Sequence, residues 1–220
     1  MLQEMLTARE RILLSAERLI AELGAAVPLR DIAIAAGQRN NSGVQYHFGS
    51  RDGLIEAVVD HRMPTLETRR LELLADREAA GDADNPRVLV EILVRPLLES
   101  GATHFCRFLD QVRNHPAVSE GNRLSGDRRA TVRIVLQRLD RSLAGLPAQV
   151  RRRRIRWMST ALLALLADHE RAVEAGEPED ADYIDDLVDA LCGILTARPP
   201  SARVPTPSPP SRVQDDDSPG

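Results

Sequence analysis

Hydrogen-bonding side chains are concentrated in one short segment between Gly37 and Phe48. They are Arg39, Asn40, Asn41, Ser42, Gln45, Tyr46 and His47. Asn and Gln amides can bond adenine edges bidentately, and an Arg guanidinium can do so with guanine. If Asn41 to His47 form a short helix, Val44 remains as the apolar residue that faces inward. The residue types therefore favour a helix that presents a polar side to a groove of nucleic acid.

The residues before this segment predict a small helical platform. Thr7 and Glu10 have the spacing of a capping box, and apolar residues follow at helical spacing as far as Gly24. Pro28 opens a second, short helix that ends at Gly37. Two helices that support a third across a tight polar turn form the helix-turn-helix arrangement.

The rest of the chain also has helical patterns. Ser50 caps a long fourth helix, which Pro64 is expected to kink or divide. Further helices are predicted near 87–100, 102–113, 122–144, 147–175 and 180–197. Hydrophobic residues make up 43% of the chain and aromatic residues only 3%, so the core is mostly aliphatic. An all-α fold is predicted, with a disordered tail over 199–220, which is rich in Pro and Ser and holds Asp215–Asp217.

Charge and cysteine content exclude several classes of protein. The 29 basic residues are all Arg, and the net charge is −4, so the whole chain is not a nonspecific binder of polyanions. Residues 1–70 carry nine Arg and nine acidic residues, which predicts modest nonspecific affinity for DNA. Cys106 and Cys192 form no spaced framework, which is typical of a reducing cytoplasm. No signal peptide is evident, and the apolar stretch 157–167 is too short to span a bilayer.

The first quarter of the chain resembles the N-terminal signature of tetracycline-repressor (TetR) family regulators. The matching residues, in order, are Arg11–Leu13, Ala16, Gly24, Leu29–Ala33, Ala36–Gly37, Tyr46–Phe48 and Ser50–Leu54. The resemblance implies a helix-turn-helix DNA-binding domain over 7–60 and a helical ligand-binding and dimerisation domain over 61–198, followed by the tail.

The resemblance also implies roles for single residues. Tyr46 and His47 would contact backbone phosphate, as would Arg30 and Arg51, the latter standing where Lys is usual. The residues that would read bases are Asn40, Asn41, Ser42 and Gln45, and Arg39 is a further exposed candidate. Two features depart from the family pattern: the stretch 37–48 is one residue longer, and Pro28 stands where Ser or Thr often caps the second helix.

For the C-terminal part, the resemblance implies a small-molecule pocket and a dimer interface built by the last two long helices. The candidate pocket residues are Phe105, Phe108, Trp157 and Met158. The candidate interface residues are Leu162, Leu166, Leu187, Leu191 and Ile194. Ordinary core packing is the alternative for this second set, because both helices carry wide apolar faces.

The expected function is that of a homodimeric repressor, which an unidentified small molecule releases from a palindromic double-stranded operator in the bacterial cytoplasm and nucleoid. The fourth helix near Pro64 is the expected coupling element. No catalytic constellation, cofactor motif or membrane segment is evident, and the spacing of His104, Cys106 and His115 matches no standard zinc site. The alternatives are a helical interaction adaptor and a small-molecule carrier, neither of which would bind DNA.

One charged feature has no role in this scheme. Arg151–Arg154 and Arg156 form the densest positive run in the chain. The run can be a second patch for DNA or anionic lipid, or the solvated first turns of a long helix. The second interpretation is the favoured one.

Overall fold

A computed structural model describes residues 6–39, 42–119, 130–178 and 181–197. No strand occurs in these residues, and the predicted all-α class is confirmed. Their helices are α1 (Ala8–Leu23), α2 (Leu29–Ala35), α3 (Ser42–Phe48), α4 (Arg51–Ala80), α5 (Pro86–Glu99), α6 (Phe105–Gln111), α7 (Pro116–Ser119), α8 (Ala130–Ser142), α9 (Ala148–Glu174) and α10 (Tyr183–Thr196). The predicted tail lies outside the described residues.

The helices begin where the sequence places capping side chains. Thr7 Oγ1 accepts a hydrogen bond from the Glu10 backbone N–H, and the Glu10 carboxylate accepts one from the Thr7 N–H, which completes the predicted capping box. Ser50 Oγ accepts from the Gly53 N–H at 3.0 Å and caps α4. Asn85 caps α5 in the same way, with Pro86 in the first turn.

Two predicted elements differ from the structure, and the first part of a third, the helix predicted over 122–144, lies outside the described residues. α4 runs without a break through Pro64, so the helix is not divided there; Pro64 is exposed, on the solvent side of the helix. α6 begins only at Phe105, and the predicted break at Asn114–Pro116 leads into the single turn of α7. α8 is described from Ala130 onward.

α6 connects the N-terminal helices with the C-terminal ones by packing. This short helix lies against α1 on one side and against α9 on the other. α9 also contacts α8 and α10, and α10 packs on α5. The buried side chains form one hydrophobic cluster that extends from α1 to α10. The expected domain border at 60/61 falls inside α4, so the N-terminal and C-terminal parts share a helix.

No helix in the described part of the chain is long and apolar enough to cross a bilayer.

Candidate nucleic-acid interface

The turn between α2 and α3 depends on a glycine. Gly37 has a φ of +73°, in the left-handed region that residues with a side chain rarely adopt. The Gln38 N–H donates to the Ala33 carbonyl at 2.9 Å, which closes the C-terminal end of α2. The chain therefore leaves α2 in a tight turn before α3 begins. Asn40 and Asn41, two of the predicted base-reading residues, lie outside the described residues.

α3 has one buried side and one exposed side. Val44 is only 1% exposed and anchors the helix to the module's core. Ser42, Gln45, Tyr46 and His47 are all exposed, and Tyr46 has 86% of its surface accessible. The Tyr46 and His47 rings meet edge to face, with centroids 5.1 Å apart. With Val44 on its inner side, α3 thus presents hydrogen-bonding side chains outward.

The junction of α3 and α4 fixes the direction of that exposed side. A Cβ at Gly53 would lie 2.3 Å from the Phe48 carbonyl oxygen, so the close approach of α3 and α4 requires glycine there. Phe48 is partly buried, and the Arg9 guanidinium lies 5.3 Å from its ring centroid. The end of α3 is therefore attached both to α4 and to the first turn of α1.

The predicted cations have different surroundings. Arg30 and Arg39 are exposed. Arg51 is only partly exposed, because its Nη1 donates to the Ala25 carbonyl oxygen at 2.8 Å in the α1–α2 turn. One hydrogen bond leaves other guanidinium donors available, but Arg51 also stabilises the module.

A partly buried ion pair joins α1 and α4 in the N-terminal module. The Arg62 guanidinium of α4 donates from Nε and Nη2 to the Glu17 carboxylate of α1, at 2.8 and 2.7 Å. This pair raises the Arg62 pKa. Arg11 Nη1 also donates to the Leu6 carbonyl at 2.7 Å, and its Nε donates to the Ala36 carbonyl at 3.4 Å. α1 is therefore tied to the end of α2 and to α4.

Sequence reasoning did not identify Glu17, although it gives a recognisable signal. Glu17 lies among the apolar positions of α1, next to Ala16 and three residues before Ile20, and only 3% of it is exposed. A carboxylate on a buried helical face needs a partner. The partner itself, 45 residues away, is not evident from the sequence.

A second polar group that the sequence did not indicate links α9 to α6. The Glu170 carboxylate accepts hydrogen bonds from the backbone N–H groups of Cys106 and Arg107, at 2.8 and 2.9 Å. Arg107 is buried and donates to Glu174 and to the Thr103 carbonyl. α6 therefore has its first turn held by α9.

Histidines at both ends of α6 approach acids of the N-terminal module. His104 Nε2 lies 3.7 Å from a Glu22 carboxylate oxygen on α1. His115 Nε2 lies 3.3 Å from a carboxylate oxygen of Asp52, and its Nδ1 accepts from the Ala117 N–H. α6 thus packs on α1, and the histidines on either side of it approach acids of α1 and of the start of α4.

The four predicted pocket residues do not share one environment. Phe105, Phe108 and Met158 are buried, and the two Phe rings stack with centroids 6.1 Å apart. Trp157 is 52% exposed, because it points away from the core side of α9, so it does not line a cavity with the other three. Neither of two open cavities, beside Tyr183 and beside Leu195, is lined by any of these residues. The pocket remains a prediction.

Four of the five predicted interface residues are buried in the single chain. Leu162, Leu166, Leu187 and Leu191 are buried within the chain itself, so a second copy has no access to them. Their burial favours the core-packing alternative for these four leucines. Ile194 is partly exposed.

No group of His, Cys, Asp or Glu in the described residues has the arrangement of a metal site. Cys106 is buried, and burial raises the pKa of its thiol far above the ordinary value, with the Glu170 carboxylate adding to the shift. The thiol therefore stays protonated at neutral pH and is a poor nucleophile.

An α3 with an outward polar side, supported by α1 and α2 and joined to a larger helical part, defines a helix-turn-helix protein. Residues 91–197 match the family model described as Tetracyclin repressor-like, C-terminal domain. Nearly half of the chain therefore matches a tetracycline-repressor-like domain, in agreement with the N-terminal resemblance.

The chain also resembles the crystal structure of the TetR-like transcriptional regulator LfrR from Mycobacterium smegmatis in complex with proflavine. The TM-score is 0.44 and the sequence identity 21%, over 86% of this chain and 95% of that one. No curated protein matches the sequence.

Proposed function

We propose that this protein is a dimeric, sequence-specific DNA-binding repressor that a small molecule releases from a palindromic operator. The observation that carries the proposal is the exposed polar side of α3, opposite the buried Val44. A major groove about 12 Å wide admits a helix with such a side. A DNA-binding role implies a cytoplasmic, nucleoid-associated location in a bacterial cell.

Individual roles follow from residue chemistry and exposure. Ser42 and Gln45 would read base edges from α3, together with Asn40 and Asn41, which precede α3 in the sequence. Tyr46 and His47 would donate to phosphate oxygens. The cations Arg30 and Arg39, and Arg51 with the donors that Ala25 leaves available, would neutralise phosphates.

Dimerisation would use the outer sides of α9 and α10. Leu165 of α9 is 38% exposed. α10 offers exposed Ala190 and Gly193 beside the partly exposed Ile194, and small residues allow two helices to approach closely. A dimer built on this face would present two α3 helices to half-sites about one helical turn, or a multiple of it, apart.

Coupling between ligand and DNA would pass through α6. This helix packs on α1, and its first turn is held by Glu170 of α9. A ligand that favours a different position of α6 would change the placement of α1, and with it the spacing of the two α3 helices. Coupling through α4 near Pro64 stays a second prediction, and the helix is unbroken there.

The test measures binding of the full chain to DNA from upstream of its own gene. Fluorescence anisotropy gives the affinity at several stated salt concentrations. Gln45→Ala should lower affinity for the operator by about 1–3 kcal/mol and relax base preference at one position. Arg30→Ala should weaken binding to all sequences and reduce the salt slope by about 1.

The matched control is Arg18→Ala, an exposed Arg on α1 that pairs with Glu22. It should leave both affinity and salt slope unchanged. If the wild-type protein binds neither the upstream DNA nor any sequence selected from a random pool, the repressor proposal fails and an interaction adaptor is the better description.

A further inference from the structure

The arginine run at the start of α9 separates into two groups. Arg151 donates to the Asp140 carboxylate at 3.0 and 3.2 Å, and buried Arg154 donates to the carbonyl oxygens of Leu195 and Ala197 at the end of α10. Arg152, Arg153 and Arg156 are exposed, and no carboxylate among the described residues pairs with any of them. These three exposed arginines lie within about one helical turn of each other.

An exposed aromatic ring belongs to the same surface. The Arg153 guanidinium lies 5.1 Å from the centroid of the Trp157 indole, which is the only tryptophan in the sequence. The arginine patch consists of Arg152, Arg153, Arg156 and Trp157. Like charges this close repel one another, so the patch favours an anionic partner.

The chain itself supplies an anion close by. Arg154, on the same turn of α9 as the patch, holds the Ala197 carbonyl, and residues 198–220 continue from that point. Asp215 follows Ala197 by 18 residues, a length that can span up to about 60 Å at ~3.3 Å per residue. Asp215–Asp217 is the only run of three acidic residues in the sequence and can reach the patch easily.

We propose that Asp215–Asp217 docks on the arginine patch of its own chain. Three carboxylates face three guanidiniums, and the tether holds them at an effective concentration of the order of millimolar. Each exposed pair contributes little, so docking is weak, reversible and sensitive to salt. While docked, the acidic run keeps the patch from attracting DNA phosphates away from the operator.

Trp157 is a built-in reporter for this contact. The experiment compares the full-length protein with Asp215→Asn/Asp216→Asn/Asp217→Asn and measures quenching of Trp157 fluorescence by iodide, an anion that the patch attracts. At low salt, quenching should be about twofold stronger in the triple variant. The difference should disappear near 1 M salt, where the screening length is about 3 Å, and should be smaller with neutral acrylamide.

The matched control is Ser201→Asn/Ser208→Asn/Ser211→Asn, which introduces the same number of Asn residues into the same segment and leaves the acids in place. It should behave as wild type. A second control carries Arg152→Gln and Arg156→Gln, and Arg153 still covers the indole. In this background, the three Asp→Asn changes should have no further effect on iodide quenching of Trp157.

Three results would overturn the proposal. Equal iodide quenching in wild type and triple variant would mean that the acidic run does not dock. Protection of Trp157 that persists in the triple variant and grows with protein concentration would assign the patch to a second copy of the chain. Protection that arises only on addition of nonspecific DNA would assign it to nucleic acid.

Discussion

Arg62 of α4 donates two hydrogen bonds to the buried Glu17 carboxylate of α1, at 2.8 and 2.7 Å. The Arg62 guanidinium also lies 5.9 Å from the centroid of Phe105 at the start of α6. This one side chain therefore contacts the helix that supports α3 and the helix that leads to α9.

Glu17→Gln should destabilise the protein by about 1–2 kcal/mol, because the partly buried Arg62 charge loses its counter-charge while the shape is kept. Denaturant unfolding measures the change. The control is Glu22→Gln, which removes an exposed pair with Arg18 and should cost no more than about 0.5 kcal/mol. Equal effects of the two changes would contradict a special role for the buried pair.

Glu170→Gln should loosen the first turn of α6, because a neutral amide accepts the Cys106 and Arg107 N–H bonds less strongly than a carboxylate does. Hydrogen exchange of those two amides should accelerate by about tenfold or more, as expected for a loss of ~1.5 kcal/mol. Glu174→Gln, an exposed neighbour that contacts only the Arg107 side chain, should leave the Cys106 amide unchanged. Unchanged exchange in Glu170→Gln would rule out the link between α9 and α6.

Stability should fall above pH about 8.5, where the Cys106 thiol ionises in the unfolded chain but not in the folded one. Burial raises its pKa in the folded state, so the folded protein keeps a proton that the unfolded chain releases. The thiol's contribution is therefore complete below the unfolded pKa and decreases as the pH rises.

Unfolding measured between pH 7 and 10 checks this, and Cys106→Ala should flatten the profile. Cys192→Ala should change the pH profile less, because that thiol is only partly buried and burial raises its pKa by a smaller amount. A wild-type profile that is already flat over this range would show that the Cys106 thiol does not titrate as expected.

Leu165→Asp should weaken self-association by about 100-fold, since an unpaired carboxylate would be buried between the outer faces of α9 and α10. Sedimentation velocity over a range of concentrations measures the shift from dimer to monomer. Leu71→Asp is the control, because Leu71 is 58% exposed on α4, away from that face. If both variants dimerise as the wild type does, the interface lies elsewhere.

The sequence by itself determined the local structure. The capping of α1 by Thr7 and Glu10, the start of α4 after Ser50 and the turn at Gly37 were predicted correctly, because each depends on groups within a few residues. The exposed polar side of α3 could also be predicted, since Val44 is the apolar residue among polar neighbours in the middle of the helix.

Only the tertiary structure decided which side of each long helix meets the core. α9 and α10 are apolar over a wide arc, so periodicity could not tell whether Leu162 or Leu187 faces the chain's own core or a second copy. The partners of Arg51, Glu17 and Glu170 were likewise decided by packing, because they lie 26 to 64 residues away in the chain. Short-range hydrogen bonding is encoded by local spacing, whereas burial and charge pairing depend on how distant helices come together.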